Sequence, residues 1–184
     1  MHTHTCGELR AANVGQEVKL TGWVDRRRDL GQLIFVTIRD REGMTQVIFD
    51  PDLSGEAFQT AETIRPEWPI LVSGTVRHRI EGQTNEHMAT GEIEVLATGI
   101  TVLNTSVTPP FPIDDSTDTA EDIRLRYRYL DLRRPVMNKN LRLRSDFTFA
   151  LREAFHANAF TEVETPSLFK STPEGARDFL VPSR

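Results

Sequence analysis

Residues 21–49 read TGWVDRRRDLGQLIFVTIRDREGMTQVIF, and the fold turns on two amphipathic runs here that flank a loop carrying Arg26, Arg27 and Arg28. In the run leading in, Val18, Leu20, Gly22 and Val24 share one face while Lys19, Thr21, Trp23 and Asp25 share the other. That period of two marks a half-buried strand. The second run, Leu33 to Arg39, sets apolar residues on both faces. Two readings of Phe35 follow: a core aromatic, as most strand aromatics are, or a ring left on the sheet surface to stack on an unpaired base. The arginines divide the same way, between a solvated hairpin tip and the positive margin of a nucleic-acid surface.

Working outward, strands are expected at Thr45 to Phe49 after a Glu42-Gly43 turn, at Ile70 to Arg79 and at Ile93 to Val102. Between the third and fourth, Ala57, Phe58, Ala61 and Ile64 fall at helical spacing over Gly55 to Arg65, with Ser54 as the expected cap and Pro66 ending the helix. Five strands with a helix between the third and fourth give an all-β OB-fold, a five-stranded barrel assigned to residues 1–104. That architecture binds oligonucleotides on its strand 2 and 3 face, where Phe35 and Gln46 would lie.

From Thr105 the composition changes to Thr108, Pro109, Pro110, Phe111 and Pro112, then to Asp114, Asp115, Asp118, Glu121 and Asp122. A stiff piece followed by an acidic one reads as a linker over 105–123. Beyond it, residues 124–184 open on RLRYRYLDLRRP and continue into a helical pattern from about Asn138 to Asn158, with Leu141, Phe147, Leu151 and Phe155 as an apolar stripe for a core or a subunit interface. Tyr127 and Tyr129, interleaved with Arg126 and Arg128, fit either an RNA motif or an arginine-rich hinge packed on its own protein.

The chain has 184 residues and a formal net charge of -5, so it suits one large or two small domains and argues against a general nucleic-acid coat. Positive charge gathers locally: residues 124–144 hold Arg124, Arg126, Arg128, Arg133, Arg134, Lys139, Arg142 and Arg144 against Asp131 alone. A basic region on an acidic protein favours a shaped partner over indiscriminate binding. Cys6 is the single cysteine, which excludes an intrachain disulfide and a thiolate zinc site. His2, His4 and Cys6 sit at what reads as a frayed terminus, and no metal is expected there. No apolar run reaches membrane-spanning length and the start lacks the apolar core of a signal peptide, so a soluble, cytoplasmic protein is expected.

The last segment, FTEVETPSLFKSTPEGARDFLVPSR at 160–184, taken with GWVDRRRDLGQLIFVTIRDREG, MATGEIEVL and RLRYRYLDLRRP, closely resembles the bacterial aspartyl-tRNA synthetases. These are class II enzymes with an N-terminal OB anticodon-binding domain ahead of an α+β catalytic domain. Synthetases for asparagine and lysine share the OB domain and hinge, whereas the string TPEGARDF characterises the aspartate enzymes. The resemblance implies activation of aspartate with ATP and magnesium and transfer to tRNA(Asp), by a full-length cytoplasmic homodimer. It places Glu174 on a mobile loop that closes over aspartate, engaging the substrate ammonium. Phe35 resembles the residue that stacks on the middle uracil of the anticodon, and Gln46 the one that hydrogen-bonds its edge. Arg28 and Glu94 match positions that read the outer anticodon bases, while Arg77 and Arg79 would hold phosphates. Leu30 and Gly82 match positions that set whether asparagine tRNA is also charged; they point in opposite directions, and Leu30 favours the strict enzyme.

Phe160 and Pro166 belong to motif 1, which builds the dimer interface in the family. Ala159 stands where a glycine is usual, and a left-handed turn there is less comfortable. Motifs 2 and 3, with their arginines for ATP, would follow Arg184, so this portion is expected to bind neither ATP nor magnesium and not to be catalytic alone. The alternatives are a free-standing OB module for single-stranded nucleic acid and the sibling asparagine enzyme.

Overall fold

The computed structural model describes residues 2–170, 179, 181 and 182. It divides into two compact units, 1–138 and 139–184. In the first, β1 (Glu17–Leu30), β2 (Leu33–Arg39), β3 (Met44–Phe49), β4 (Pro69–His78) and β5 (Ile93–Val102) form a closed barrel in the order β1-β2-β3-β5-β4. Every pairing is antiparallel except β3 with β5. Helices α1 (Pro51–Ser54) and α2 (Glu56–Thr63) come between β3 and β4, which completes the predicted OB order. Alternation fills the interior: Val18, Leu20 and Val24 from β1 meet Ile34, Val36 and Ile38 from β2, with Val72, Val76 and Val95 opposite and Ala57 and Ala61 of α2 packed into the same core.

Three expectations are corrected. Arg26, Arg27 and Arg28 are not in a loop; they extend β1, pairing with Thr37, Val36 and Phe35. The turn falls later, at Gly31-Gln32, where Gly31 has φ +72°, and glycine supplies that conformation at no steric cost in a two-residue hairpin. Ser54 does not cap the long helix. It ends α1, and its Oγ donates to the Ala97 carbonyl at 2.7 Å, while Asp50 caps α1 by accepting from the Asp52 amide at 2.9 Å. The N-terminal segment is not frayed. Thr3 N–H donates to the Lys19 carbonyl at 2.9 Å, Cys6 N–H to Asp40 at 2.7 Å, and the Cys6 side chain is fully buried in the barrel core. That burial, with the Asp40 charge beside it, pushes the thiol pKa upward.

The rest of this unit carries α3 (Glu121–Arg126) and α4 (Arg128–Asp131), where Phe111, Ile113 and Leu130 make a small second core against Tyr127. Four of its arginines make internal ion pairs. Asp131, with no exposed surface, pairs with Arg134 at 2.9 Å, Arg128 at 3.2 Å and Arg124 at 3.7 Å. Arg133 lies over the Trp23 ring at 4.2 Å and sets Nη2 2.9 Å from Glu67 Oε2, an ion pair out of line for a hydrogen bond. Burial lowers the Arg133 pKa, Glu67 opposing the shift and Arg39 adding to it. Within RLRYRYLDLRRP, Arg124, Arg128, Arg133 and Arg134 pack on the chain's own carboxylates, while Arg126 and Tyr129 are exposed.

Helix α5 (Pro135–Ala157) begins three residues before the predicted Asn138, because Pro135 suits the first turn, where its missing N–H costs nothing. Within residues 139–184 the stripe of Leu141, Phe147, Leu151 and Phe155 is exposed. Among the described residues no helix is long and apolar enough to cross a membrane.

Candidate nucleic-acid interface

The site begins with a one-residue irregularity. Trp23 and Val24 pair with Arg39 and Ile38, but the next partner of Thr37 is Arg26, leaving Asp25 as a bulge. A bulge reverses which alternate residues face inward. Before it the even-numbered Val18, Leu20 and Val24 point into the core; after it the even-numbered Arg26 and Arg28 are exposed. Arg27 turns to the other side, where its Nε donates to the Ala61 carbonyl of α2 at 2.9 Å.

Cross-strand partners share a face, so register lays two adjacent rows across the outer surface of the barrel. One runs Arg28, Phe35, Ile48, Leu96, Thr75; the other runs Arg26, Thr37, Gln46, Glu94, Arg77. Phe35 is half-buried, and Ile48 is buried without joining the interior core. The ring therefore has an apolar cross-strand neighbour on the outer surface and is itself only partly covered. In the second row the Gln46 Nε2 donates to Glu94 Oε2 at 3.0 Å, and Arg77 Nε donates to Glu94 Oε1 at 3.0 Å. Glu94 is only 3% exposed and Gln46 9%.

Arg79, just past the end of β4, donates from Nε to the Ile93 carbonyl at 3.1 Å. Burial lowers its pKa, the Glu94 charge raises it and the Arg28 charge lowers it again, so Arg28, Arg79 and Glu94 feel one another's fields. The side chains of Arg26 and Arg28 have neither an ion pair nor a hydrogen bond among the described residues. A half-open aromatic, an amide and a buried carboxylate, flanked by guanidinium groups, can stack one base, hydrogen-bond an edge and neutralise phosphates.

Register thus brings Arg28, Phe35, Gln46, Glu94 and Arg77 together, with Arg79 alongside. Leu30, paired with Leu33 at the hairpin tip, is exposed on the same outer face. Gly82 lies in the β4–β5 connection at φ +80°, with open space where a Cβ would stand. Phe160 stacks edge-on against Phe155 at 5.3 Å between centroids, and Pro166 lies in exposed, irregular chain. Glu174 lies outside the described residues. Two features escaped the sequence reading. Thr37, between Arg26 and Gln46, was signalled by its alternation with Phe35. The meeting of Glu67 with Arg39 and Arg133 had no local signal, since the partners lie far apart in sequence.

The comparisons agree with this geometry. Residues 18–103 match the OB-fold nucleic acid binding domain family, and residues 120–184 match the family of class II tRNA synthetases (D, K and N). The aspartate–tRNA(Asp/Asn) ligase of Anoxybacillus flavithermus is 57% identical over 182 residues, covering 99% of this chain and 31% of that protein. The chain therefore spans about a third of the length of the curated relatives it matches. Among solved structures, the Entamoeba histolytica aspartyl-tRNA synthetase superimposes with a TM-score of 0.81 at 22% identity, over 91% of this chain and 40% of that one. The Pyrococcus horikoshii asparaginyl-tRNA synthetase complexed with asparaginyl-adenylate gives 0.76 at 26% identity, over 89% and 36%. With an OB-fold nucleic acid binding domain followed by the first part of a synthetase domain, the chain belongs to the class II tRNA synthetases of the D, K and N group.

Proposed function

We propose that this chain is the anticodon-reading part of an aspartate–tRNA ligase, an enzyme that activates aspartate with ATP and transfers it to the 3′ end of tRNA(Asp) in the cytoplasm. The observation that carries the reading is the pair of outer-face rows uniting Arg28, Phe35, Gln46, Glu94 and Arg77. Phe35 stacks the middle anticodon base, the Gln46 amide meets its edge, Arg28 and Glu94 meet the outer bases, and Arg77 and Arg79 hold the phosphates. The division at the linker and hinge, 1–104, 105–123 and 124–184, belongs to the same proposal, as do aspartate binding by Glu174 and dimerisation through the motif 1 segment with Phe160 and Pro166. The apolar stripe on α5 supports the last of these.

ATP use follows from the family. Among the described residues no group of three or more His, Cys, Asp and Glu is placed to hold a metal ion, and no step of the activation chemistry is assigned to them. The relatives' name as aspartate ligases weighs against the asparagine enzyme. Leu30, at the hairpin tip, favours strict charging of tRNA(Asp) by its identity, while Gly82 and the relatives' printed name as tRNA(Asp/Asn) ligases point to charging of both; charging assays of the complete enzyme on both tRNAs test that point.

The central test is binding of this chain to an RNA hairpin bearing the aspartate anticodon. Gln46→Ala should weaken it by about 1–3 kcal/mol, the range for a lost base contact. Unchanged affinity together with an unchanged preference for the middle base would sink the reading, and equal binding to an unstructured strand would favour a general single-strand module.

A further inference from the structure

The Arg79 guanidinium is held by two acceptors of unequal strength. Its Nε donates to the Ile93 carbonyl at 3.1 Å, and its Nη2 donates to Met88 Sδ at 3.8 Å, a thioether that accepts only weakly. The sulfur is presented by a tight turn. In it the Asn85 amide donates to the Gly91 carbonyl at 3.1 Å, the Met88 amide to the Asn85 carbonyl at 3.1 Å and the Gly91 amide to the Met88 carbonyl at 2.9 Å. Glycine is needed at 91 for this closure, because a Cβ there would stand 1.9 Å from the Asn85 carbonyl oxygen. Thr90 of the same turn is buried, and its Oγ1 donates to the Met44 carbonyl at 2.6 Å, which fastens the turn to β3. Met88 itself is only partly covered. Its side chain is thus fixed against the guanidinium and still open to a small solute.

We propose that Met88 is an oxidative modification site that sets how freely Arg79 meets RNA, a step that rests on the phosphate role proposed for Arg79. Hydrogen peroxide transfers one oxygen to the thioether: the peroxide O–O bond breaks, an S–O bond forms, the sulfur gives up two electrons, and methionine sulfoxide and water result. The product puts a strong acceptor where a weak one stood. Its oxygen falls in the gap between sulfur and Nη2, and the bond it accepts from the guanidinium is charge-assisted. With the thioether, Arg79 turns from Met88 to a phosphate at little cost. With the sulfoxide it must first release a hydrogen bond of much greater strength, so the oxidised chain holds RNA less tightly. Enzymatic reduction of the sulfoxide returns the thioether, which makes the modification reversible.

The experiment treats this chain with hydrogen peroxide until mass spectrometry of its peptides finds one added oxygen on Met88, and titrates the aspartate anticodon hairpin before and after. Oxidation should weaken binding by about tenfold, the worth of one hydrogen bond to a charged group. The two epimer-specific methionine sulfoxide reductases should restore it. Met88→Leu keeps the apolar volume without the sulfur; it should bind like the untreated chain and keep its affinity through the peroxide step, which removes Met44, Met137 and the buried Cys6 as the source. Met88→Gln, with an amide oxygen near the position of the sulfoxide oxygen, should bind weakly without any oxidant. In the RNA-free chain the Arg79 side-chain N–H protons should exchange with solvent more slowly after oxidation. The proposal is overturned if Met88 resists peroxide that oxidises free methionine, if Met88→Leu loses affinity on treatment as the unaltered chain does, or if oxidation at Met88 leaves affinity unchanged while Arg79→Gln lowers it. Should Arg79→Gln leave affinity unchanged, the phosphate role of Arg79 has failed instead, and unchanged proton exchange would then defeat the sulfoxide contact as well.

Discussion

Ala159 holds φ at +62° at the end of α5, a conformation that costs a residue with a Cβ roughly 1–2 kcal/mol. The hydrogen bonds explain why it is adopted. Phe160 N–H donates to the Phe155 carbonyl at 3.1 Å and Ala159 N–H to the His156 carbonyl at 3.0 Å, the paired bonds that close a helix when the residue after the cap turns left-handed. The rings of Phe155 and Phe160 then meet edge to face, the apolar contact that accompanies such an ending. The alanine in place of the family's glycine pointed to this strain in the sequence, while the stacking partner came only with the coordinates. Ala159→Gly relieves the backbone and increases the freedom of the unfolded chain, a loss of about 0.4–1 kcal/mol that offsets part of the gain. The expected net stabilisation of the helix end is about 0.5 kcal/mol, seen as roughly twofold slower amide exchange at Phe160; faster exchange would contradict it.

At the scale of elements, strand identity was legible because one face of each strand is buried and the period of two survives in Val18, Leu20 and Val24, or Ile34, Val36 and Ile38. What periodicity could not carry was the bulge at Asp25. A strict alternation would have pointed Arg26 and Arg28 into the core, so a loop looked like the better home for them. The bulge lets the strand continue and delivers both to the surface that holds Phe35. Contacts between distant elements were equally hidden. Glu67, at φ +67°, places its carboxylate between Arg39 of β2 and Arg133 of the hinge, and Arg133 also covers Trp23 of β1. This cluster fastens the segment after the linker to the barrel. Removing the carboxylate leaves Arg39 buried with only the more distant Asp25, at 3.8 Å. Glu67→Ala should therefore cost about 3 kcal/mol in urea unfolding, as breaking a buried pair does. Glu67→Gly should cost about 0.5 kcal/mol less than Glu67→Ala, because it drops the left-handed penalty along with the charge while adding freedom to the unfolded chain. Equal losses would mean the backbone at Glu67 carries no strain.

Over the whole molecule the acidic balance, 27 Asp and Glu against 22 Lys and Arg, has to be reconciled with an RNA partner. The sequence located the densest positive run at 124–144, but folding commits Arg124, Arg128 and Arg134 to Asp131 and Arg133 to Glu67. The cations beside the Phe35 surface are on the barrel: Arg26 and Arg28, whose side chains have no ion pair or hydrogen bond among the described residues, and Arg79, hydrogen-bonded to a carbonyl and to Met88. Placement rather than total charge then sets the electrostatics, and a small number of phosphate contacts predicts a shallow salt dependence. Single-stranded RNA loses about 0.7 in the slope of log affinity against log salt per phosphate neutralised, so two or three contacts give a slope of roughly -1.4 to -2.1. Arg79→Gln should reduce its magnitude by about 0.7 across hairpins of any sequence. Arg128→Gln, although it removes the same charge, should leave the slope unchanged because that guanidinium is committed to Asp131. Titrations of the hairpin at several salt concentrations separate the two variants. A slope that falls for Arg128→Gln and not for Arg79→Gln would move the RNA path off the barrel and onto the hinge.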